Sequence, residues 1–417
     1  NDLWATQNIA FGDVVNFDYL QITPFVFDGT TVDTTENISR KWLDNDFYVG
    51  TFSVNYDSNQ TQAVIGGSYS NYDGAHLGNL IWAQYSSNAA PNHRFYESDA
   101  DKKDFNLYAK VTQRLGTAWT VYADIQYRIV AYNSTGTVKG PEPITIDDTL
   151  SFFNPKAGIT YRASEASRLY LSYAKAQREP NRSDYENGIP KPESLNDFEA
   201  GWRFKKEKVQ LQANLYYMDY KNQLVLTGAL DAVGEPIRTN SGASYRFGLE
   251  IEAAIQFAEQ WVWQPNLALS SNKNKDFYFK RDGQLQNLGT THISYSPAVV
   301  GASNLVYAPT TVFRVALLSK YVGGQYMGNI DADLSKLDAY FTNDINISYV
   351  WAANSWLKEA QFSLLVNNIF DEVYTSNGYF YTFDDDYSVP DVVTTIEGVG
   401  YYPQAGTNFL LGATFRF

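Results

Sequence analysis

The sequence predicts an all-β protein, a transmembrane antiparallel β-barrel with about 15 strands visible in the chain. Three observations predict it. Stretch after stretch alternates apolar and polar residues with period two, which marks a strand with one greasy face. The connections alternate between short turns and long loops, the asymmetry of an outer-membrane barrel. And no apolar run approaches the roughly 18 residues of a spanning helix, although 44% of the chain is hydrophobic.

Residues 1–39 are polar and turn-rich, with Asp28-Gly29 and a cluster of threonines, and read as an extracellular loop segment. Residues 40–417 read as the carboxyl-terminal part of the barrel. Its first strand, from about Leu43, puts Tyr48, Phe52, Val54 and Tyr56 on one face. A turn at Asp57–Gln60 leads into a second strand that runs to Tyr72. After Gly116-Thr117-Ala118 comes the clearest strand, with Trp119, Val121, Ala123, Ile125, Tyr127 and Ile129 outward and Thr120, Tyr122, Asp124, Gln126 and Arg128 inward. Further short turns fall at Ala163–Ser167, Lys205–Lys208, Ala258–Gln260, Ala308–Thr310 and Ala352–Glu359. Between the hairpins lie the longer connections Asp73–Lys103, Gln177–Leu195, Asn272–Tyr295 and Asp371–Ala405. The final strand sets Phe409, Leu411, Ala413, Phe415 and Phe417 on its apolar face. A strand that greasy at the end of a chain fits one that faces lipid along its length.

The composition narrows the function. Net charge is −14, from 46 acids and 32 bases, which argues against nucleic acid as a partner because a phosphate footprint needs a basic stripe. There are no cysteines, so neither a disulfide framework nor thiolate chemistry enters. The 32 Tyr, 25 Phe and 9 Trp suit aromatic girdles at the two membrane interfaces. An enzyme is not expected: the three histidines all fall in predicted loops, and a barrel lipase built on His76 and a serine is the only arrangement the residues leave open. Asn1-Asp2-Leu3-Trp4 has neither the basic segment nor the apolar core of a signal peptide. An odd strand count cannot close a bacterial barrel, so the expectation is that more strands precede Asn1.

Several stretches resemble the TonB-dependent receptors, especially those of Bacteroidetes-type outer membranes. They are Arg40-Lys41-Trp42-Leu43, Tyr72-Asp73-Gly74-Ala75-His76, Phe153-Asn154-Pro155-Lys156, and Gln177-Arg178-Glu179-Pro180-Asn181-Arg182. Tyr216-Tyr217-Met218-Asp219-Tyr220-Lys221-Asn222, Asn367-Asn368-Ile369-Phe370-Asp371 and Tyr401-Tyr402-Pro403-Gln404 complete the set. The resemblance implies a 22-stranded barrel with an amino-terminal plug, of which this chain would hold strands 8 to 22. It also implies energised uptake of a scarce large ligand, a ferric siderophore or related metal chelate. The partners implied are the TonB complex acting through the missing plug, and the outer membrane with its lipopolysaccharide. A surface lipoprotein is a further partner to consider.

Candidate site residues follow from this architecture. Inward charges must face water or protein, since a lipid-facing Arg or Lys at mid-membrane costs roughly 2–4 kcal/mol. Asp124, Arg128, Glu199, Arg203, Arg246 and Glu250 are therefore read as plug-facing positions of the lumen. In the predicted loops, aromatics beside cations could hold a flat anionic ligand by stacking and charge-assisted hydrogen bonds. These are His76, Trp82, His93, Arg94 and Tyr96 in the first long connection, Arg178, Arg182 and Tyr185 in the next, and Lys280 and Arg281 farther on. Carboxylates at Asp331 and Asp333, and at Asp384 and Asp386, are of the type that binds calcium in a flexible loop, without a recognised loop pattern. Two other functions compete: a passive porin, and a surface ligand-binding module that the barrel merely anchors.

Overall fold

The computed structural model describes residues 25–27, 30–32, 37–83, 92–138, 142–186, 188, 190–230, 236–352 and 356–417. A small hairpin of β1 (Phe25–Phe27) and β2 (Thr30–Val32) comes first. Four long strands follow: β3 (Asn37–Asp57), β4 (Thr61–Ala83), β5 (His93–Leu115) and β6 (Trp119–Val138). Then come β7 (Glu142–Arg162), β8 (Ser167–Arg178), helix α1 (Arg182–Glu186), β9 (Glu193–Lys206) and β10 (Val209–Lys221). The hairpin β11 (Leu224–Leu230) and β12 (Pro236–Asn240) leads to β13 (Ala243–Ala258) and β14 (Trp261–Lys275). A second hairpin, β15 (Tyr278–Arg281) and β16 (Gln284–Asn287), is followed by β17 (Thr291–His292), β18 (Val299–Tyr307) and β19 (Phe313–Val322). The chain finishes with β20 (Gln325–Tyr326), β21 (Lys336–Leu337), β22 (Tyr340–Ala352), β23 (Glu359–Asn367), the hairpin β24 (Thr375–Asp385) and β25 (Thr394–Pro403), and β26 (Asn408–Arg416).

Two compact units divide these elements. The first comprises residues 1–111 and 124–154, and holds β3, β4 and the parts of β5, β6 and β7 far from the short turns. The second comprises residues 112–123 and 155–417. It holds the turn-side parts of β5–β7 and every later element. Its strands β8, β9, β10, β13, β14, β18, β19, β22, β23 and β26 pair with their neighbours in that order, antiparallel throughout. With β3–β7 the strand order among the described residues contains fifteen strands, as the alternation predicts, with the short β17 beside β14. No helix among the described residues is long and apolar enough to cross a membrane.

Burial follows the period-two pattern, but inside out. Ile125 and Tyr127 on β6, Leu169 and Leu171 on β8, and Leu215 on β10 are large, apolar and exposed, while Asp124, Gln126 and Arg128 between them are half-buried. A water-soluble sheet would bury the apolar row. Here the apolar rows are left for lipid.

The short turns fall at 58–60, 116–118, 163–166, 207–208, 259–260 and 308–312, where the sequence places them. Ser58 closes the first: its N–H donates to the Thr61 carbonyl, and its hydroxyl oxygen accepts from the Thr61 N–H. Gly116 takes φ +64°, a conformation that favours glycine in a three-residue turn. Aromatic pairs cluster beside these turns. Trp119 packs on Tyr161 with ring centres 4.4 Å apart, Trp261 on Tyr307 at 4.5 Å, and Trp356 on Phe417 at 5.2 Å. Trp202 and Trp263 each donate their indole N–H to a serine hydroxyl, Ser167 and Ser303, at 2.9 Å. Ringed apolar bodies with satisfied polar tips suit the membrane–water boundary, and they mark the short-turn end as one such boundary.

Three sequence expectations are corrected. The long loop expected at Asp73–Lys103 is largely strand, because β4 runs to Ala83 and β5 starts at His93. At 23 residues each, these strands far exceed the roughly 9–11 residues that cross a bilayer. Beyond the lipid an apolar outward row is no longer required, so the ladder continues through polar and glycine-rich sequence that reads as loop. The Gln177–Leu195 connection contains α1, capped by Asn181: the Asp184 N–H donates to Asn181 Oδ1 at 2.9 Å and the Asn181 N–H donates back to Asp184 Oδ2 at 2.8 Å. Within residues 1–39, β1 and β2 are strands and β3 begins at Asn37; residues 1–24, 28–29 and 33–36 lie outside the described residues.

Candidate functional site

The non-lipid face of the second unit carries a polar lining. Tyr170 donates its hydroxyl to Asn214 Oδ1 at 2.8 Å, crossing β9 at Gly201. A Cβ on Gly201 would lie 2.2 Å from the Tyr170 ring, so the ring can lie flat only over a glycine. Arg203 stacks over the same ring at 5.1 Å. Glu199 stands opposite Tyr216 in register, and Glu250 opposite Asn214. Arg246 donates to Ser296 Oγ at 2.9 Å and to Asn272 Oδ1 at 3.3 Å. Arg203 and Glu250 are exposed, whereas Glu199 and Arg246 are half-buried. In the first unit Arg128 forms a bidentate pair with Asp104, its Nε donating to Oδ2 at 2.9 Å. Asp124 lies on the same face of β6.

The outer strand ends of the first unit gather some of the ligand candidates. The Arg94 guanidinium sits over the Trp42 ring at 5.7 Å, reaches Asn79 Oδ1 at 3.4 Å and pairs with Glu97 at 2.7 Å. Tyr96 lies against Gly78, where a Cβ would meet its ring at 2.2 Å. His76 faces the Tyr72 hydroxyl at 3.4 Å, and Tyr72 donates to Asn45 Oδ1 at 2.8 Å. Trp82 is exposed on β4 opposite Ile38. His93 opens β5, and its side chain is not among those described.

In the second unit the connections opposite the short turns are hairpins bound to one another. Arg178 pairs with Glu193 at 3.4 Å and Arg182 with Glu186 at 2.7 Å, while Tyr185 is half-buried in α1. Lys280 and Arg281 lie on β15, not in an open loop. They pair with Asp384 at 3.2 Å and Glu397 at 2.6 Å on the β24–β25 hairpin. Met327, Leu337 and Phe380 form a buried apolar cluster under that hairpin. Over it, Tyr295 donates its hydroxyl to the Gly378 carbonyl at 2.8 Å. Burial, and behind it the Tyr402 phenol, push the Tyr295 pKa up to about 12.

A second node joins three connections through side chains with no sequence signal. Asn329 accepts the Ser294 N–H at 2.9 Å and donates to the Leu226 carbonyl. Asn274 donates to the His292 carbonyl at 3.2 Å. His292 accepts nothing from Asp331; it donates Nδ1–H to Asp331 Oδ2 at 2.9 Å, with its backbone N–H donating to Oδ1 at 2.9 Å. Lys273 approaches the other ring nitrogen, and Tyr326 packs on the ring at 5.0 Å.

Each candidate loop cation on this unit therefore already faces a carboxylate. Two of the acids read from sequence as calcium ligands, Asp331 and Asp384, serve the same purpose. Asp331 holds His292, and Asp384 accepts from Thr395 Oγ1 at 2.9 Å as well as from Lys280. The Thr395 hydroxyl, and after it the Lys280 ammonium, hold the Asp384 carboxyl below its usual range. Among the described residues, no three His, Cys, Asp or Glu side chains converge as a metal cage.

Comparison with known proteins agrees with this architecture. The family described as TonB dependent receptor-like, beta-barrel matches residues 1–369. The catecholate siderophore receptor Fiu of Escherichia coli K12 is 22% identical over 305 residues, 68% of this chain and 35% of that protein. The ferric yersiniabactin uptake receptor FyuA from Yersinia pestis superposes with a TM-score of 0.63 at 16% identity, over 92% of this chain and 57% of that one. The copper transporter OprC superposes with a TM-score of 0.67 at 16% identity, over 90% of this chain and 57% of that one. The chain thus spans about a third of the curated receptor and little more than half of either solved one.

Proposed function

The chain belongs to the TonB-dependent receptor-like β-barrel family, and on that premise we propose that it forms the outer-membrane barrel of a receptor that imports a ferric siderophore or related metal chelate. The observation that carries this reading is the match over 305 residues to a receptor for catecholate siderophores. The site chemistry is compatible with such a ligand. An iron chelate with catecholate arms is flat at its edges and anionic, and Arg94 over Trp42 presents a cation and a ring face together. Binding there means an exchange of partners, because the ligand must draw Arg94 from Glu97, or Lys280 and Arg281 from Asp384 and Glu397. These pairs are partly exposed, and such pairs are worth only about 0–1 kcal/mol, so the exchange has a low cost.

In this reading the half-buried and wet charges of Asp124, Arg128, Glu199, Arg203, Arg246 and Glu250 line the path that a plug occupies, and TonB supplies energy through that plug. The exposed apolar rows meet lipid and lipopolysaccharide. The protein acts as a receptor and carrier, not as an enzyme. Growth of a deletion strain against its parent on ferric catecholate, ferric hydroxamate, ferric citrate and haem as sole iron sources tests the proposal. The deletion is expected to impair growth on one chelate class, the catecholates first. Equal growth on every source would count against uptake of iron chelates.

A further inference from the structure

Three arginines meet in one register row of the second unit. Arg162, at the end of β7, stands opposite Arg168 of β8, and Arg168 stands opposite Arg203 of β9. All three lie on the non-lipid face. Tyr161 beside Arg162 packs on Trp119, Leu169 beside Arg168 is exposed on the apolar row, and Trp202 beside Arg203 donates to Ser167 among the boundary aromatics. Period two then turns the arginines the other way. Lys205, two residues beyond Arg203 on β9, shares their face, and all four cations are exposed.

Neighbouring strands run about 5 Å apart, so the row spreads three guanidiniums over roughly 10 Å. Like charges directly opposite one another destabilise a sheet. Elsewhere in the chain such cations are matched, Arg128 by Asp104, Arg182 by Glu186 and Arg281 by Glu397. Among the described residues, none of Arg162, Arg168, Arg203 and Lys205 has a carboxylate within ion-pair distance. The acids nearest along the chain, Glu165 and Glu207, stand exposed in the adjoining turns. Along the row itself Gln212 of β10 follows Arg203, and the first acid is Glu252 of β13, two strands away. A chain of net charge −14 thus concentrates the opposite sign at this one place.

An anion that reaches several of these groups at once offsets their repulsion. Each guanidinium is a planar fork that takes two oxygens of a carboxylate or phosphate. One fork is already steadied, since Arg203 stacks over the Tyr170 ring at 5.1 Å. A single phosphate meets one fork or two, whereas oxyanion groups spaced about 5 Å apart match the whole row. Lipid phosphates lie on the other side of the wall, beside Trp119 and Trp202.

We propose that Arg162, Arg168 and Arg203, with Lys205, form a binding site for a small multivalent oxyanion at the short-turn end of the second unit. Its ligand class is an oligophosphate, a tricarboxylate, or a metal chelate that carries such groups. The site rests on the row of cations, not on the iron reading, because a free oxyanion and an anionic chelate present the same oxygens.

The experiment titrates tripolyphosphate into the full-length receptor in neutral detergent at low salt, by calorimetry, with inorganic phosphate as the single-group contrast. Tripolyphosphate is expected to bind roughly tenfold or more tighter than phosphate, and to weaken as salt screens the row. Arg168→Gln is expected to weaken it roughly tenfold, the size of one charge-assisted pair. Lys358→Gln, the same change of charge near another short turn, is expected to leave it unaltered. Arg168→Gln also relieves a repulsion, so without the anion it is expected to unfold no more readily than the parent, which separates lost binding from lost fold. Citrate and ferric citrate then compete for the site. Displacement by both supports it with chelates among its ligands, and displacement by iron-free citrate alone supports it as a site for free anions. Displacement by neither overturns the proposal. So do equal binding of tripolyphosphate and phosphate, undiminished binding by Arg168→Gln, and an equal loss in Lys358→Gln.

Discussion

Asp282 and Thr395, 113 residues apart, exchange a pair of hydrogen bonds: the Asp282 N–H donates to Thr395 Oγ1 at 2.7 Å, and the Thr395 N–H donates to Asp282 Oδ1 at 2.8 Å. The exchange fixes the tip of the β15–β16 hairpin against β25, flanked by Lys280–Asp384 and Arg281–Glu397. Two long connections are thus one hydrogen-bonded surface. Thr395→Val removes the acceptor of the Asp282 N–H and the donor to Asp384 while keeping the shape. It is expected to raise amide exchange across residues 278–287 several-fold, with a loss of about 1 kcal/mol in local stability. Unchanged exchange there would mean that the hairpins do not depend on each other.

The same surface has an acid limit. Asp384 and Asp385 are both held below their usual carboxylate range, Asp384 first by the Thr395 hydroxyl and Asp385 first by the Ser388 hydroxyl. A depressed folded pKa contributes stability above the unfolded value and loses it as pH falls through the folded one. The hairpin contact is therefore intact at pH 7 and loosens below the ordinary value of 3.8. Amide exchange of residues 278–287 followed from pH 6 downward is expected to stay slow until that range. Loosening already near neutrality would contradict the assignment.

Tyr295 gives the alkaline counterpart. Its phenol is pushed up to about 12 by burial, so the neutral form is favoured in the fold and its stabilising contribution is full below 10. That contribution is lost as pH rises from 10 towards 12. Ultraviolet titration of the protein against Tyr295→Phe is expected to remove a late-titrating phenol near 12. Removal of one that titrates at the usual 10 would show that the ring is not buried.

The period-two sequence made the strands and the short turns legible, because lipid leaves a strand no choice but an unbroken apolar row; of the seventh turn, Ala352–Glu359, residues 353–355 lie outside the described residues. It failed beyond the membrane. At Asp73–Lys103 that demand ends, and β4 and β5 continue on backbone pairing alone. The site was legible in residue type only. Arg94, Lys280 and Arg281 are visible in the sequence as cations, but nothing local says that Glu97, Asp384 and Glu397 hold them. The partner that Asp384 does have, Lys280, lies 104 residues away, beyond the reach of any local pattern. Asn274 and Asn329, which join three connections, are ordinary asparagines in sequence.

Faces can be tested one residue apart. Leu171 is 58% exposed on the apolar row of β8, while its neighbour Ser172 stands opposite Glu199 on the polar one. Leu171→Arg is expected to destabilise the protein in bilayers by roughly 2–4 kcal/mol, and Ser172→Arg by far less. Denaturant unfolding in lipid vesicles reads both. Equal costs would mean that the two rows do not meet different solvents.

The most direct measurement is accumulation of radiolabelled iron from a ferric catecholate by cells that carry the full-length receptor, by cells that lack it, and by cells that lack TonB. The account predicts uptake in the first alone. Equal accumulation in all three would contradict it.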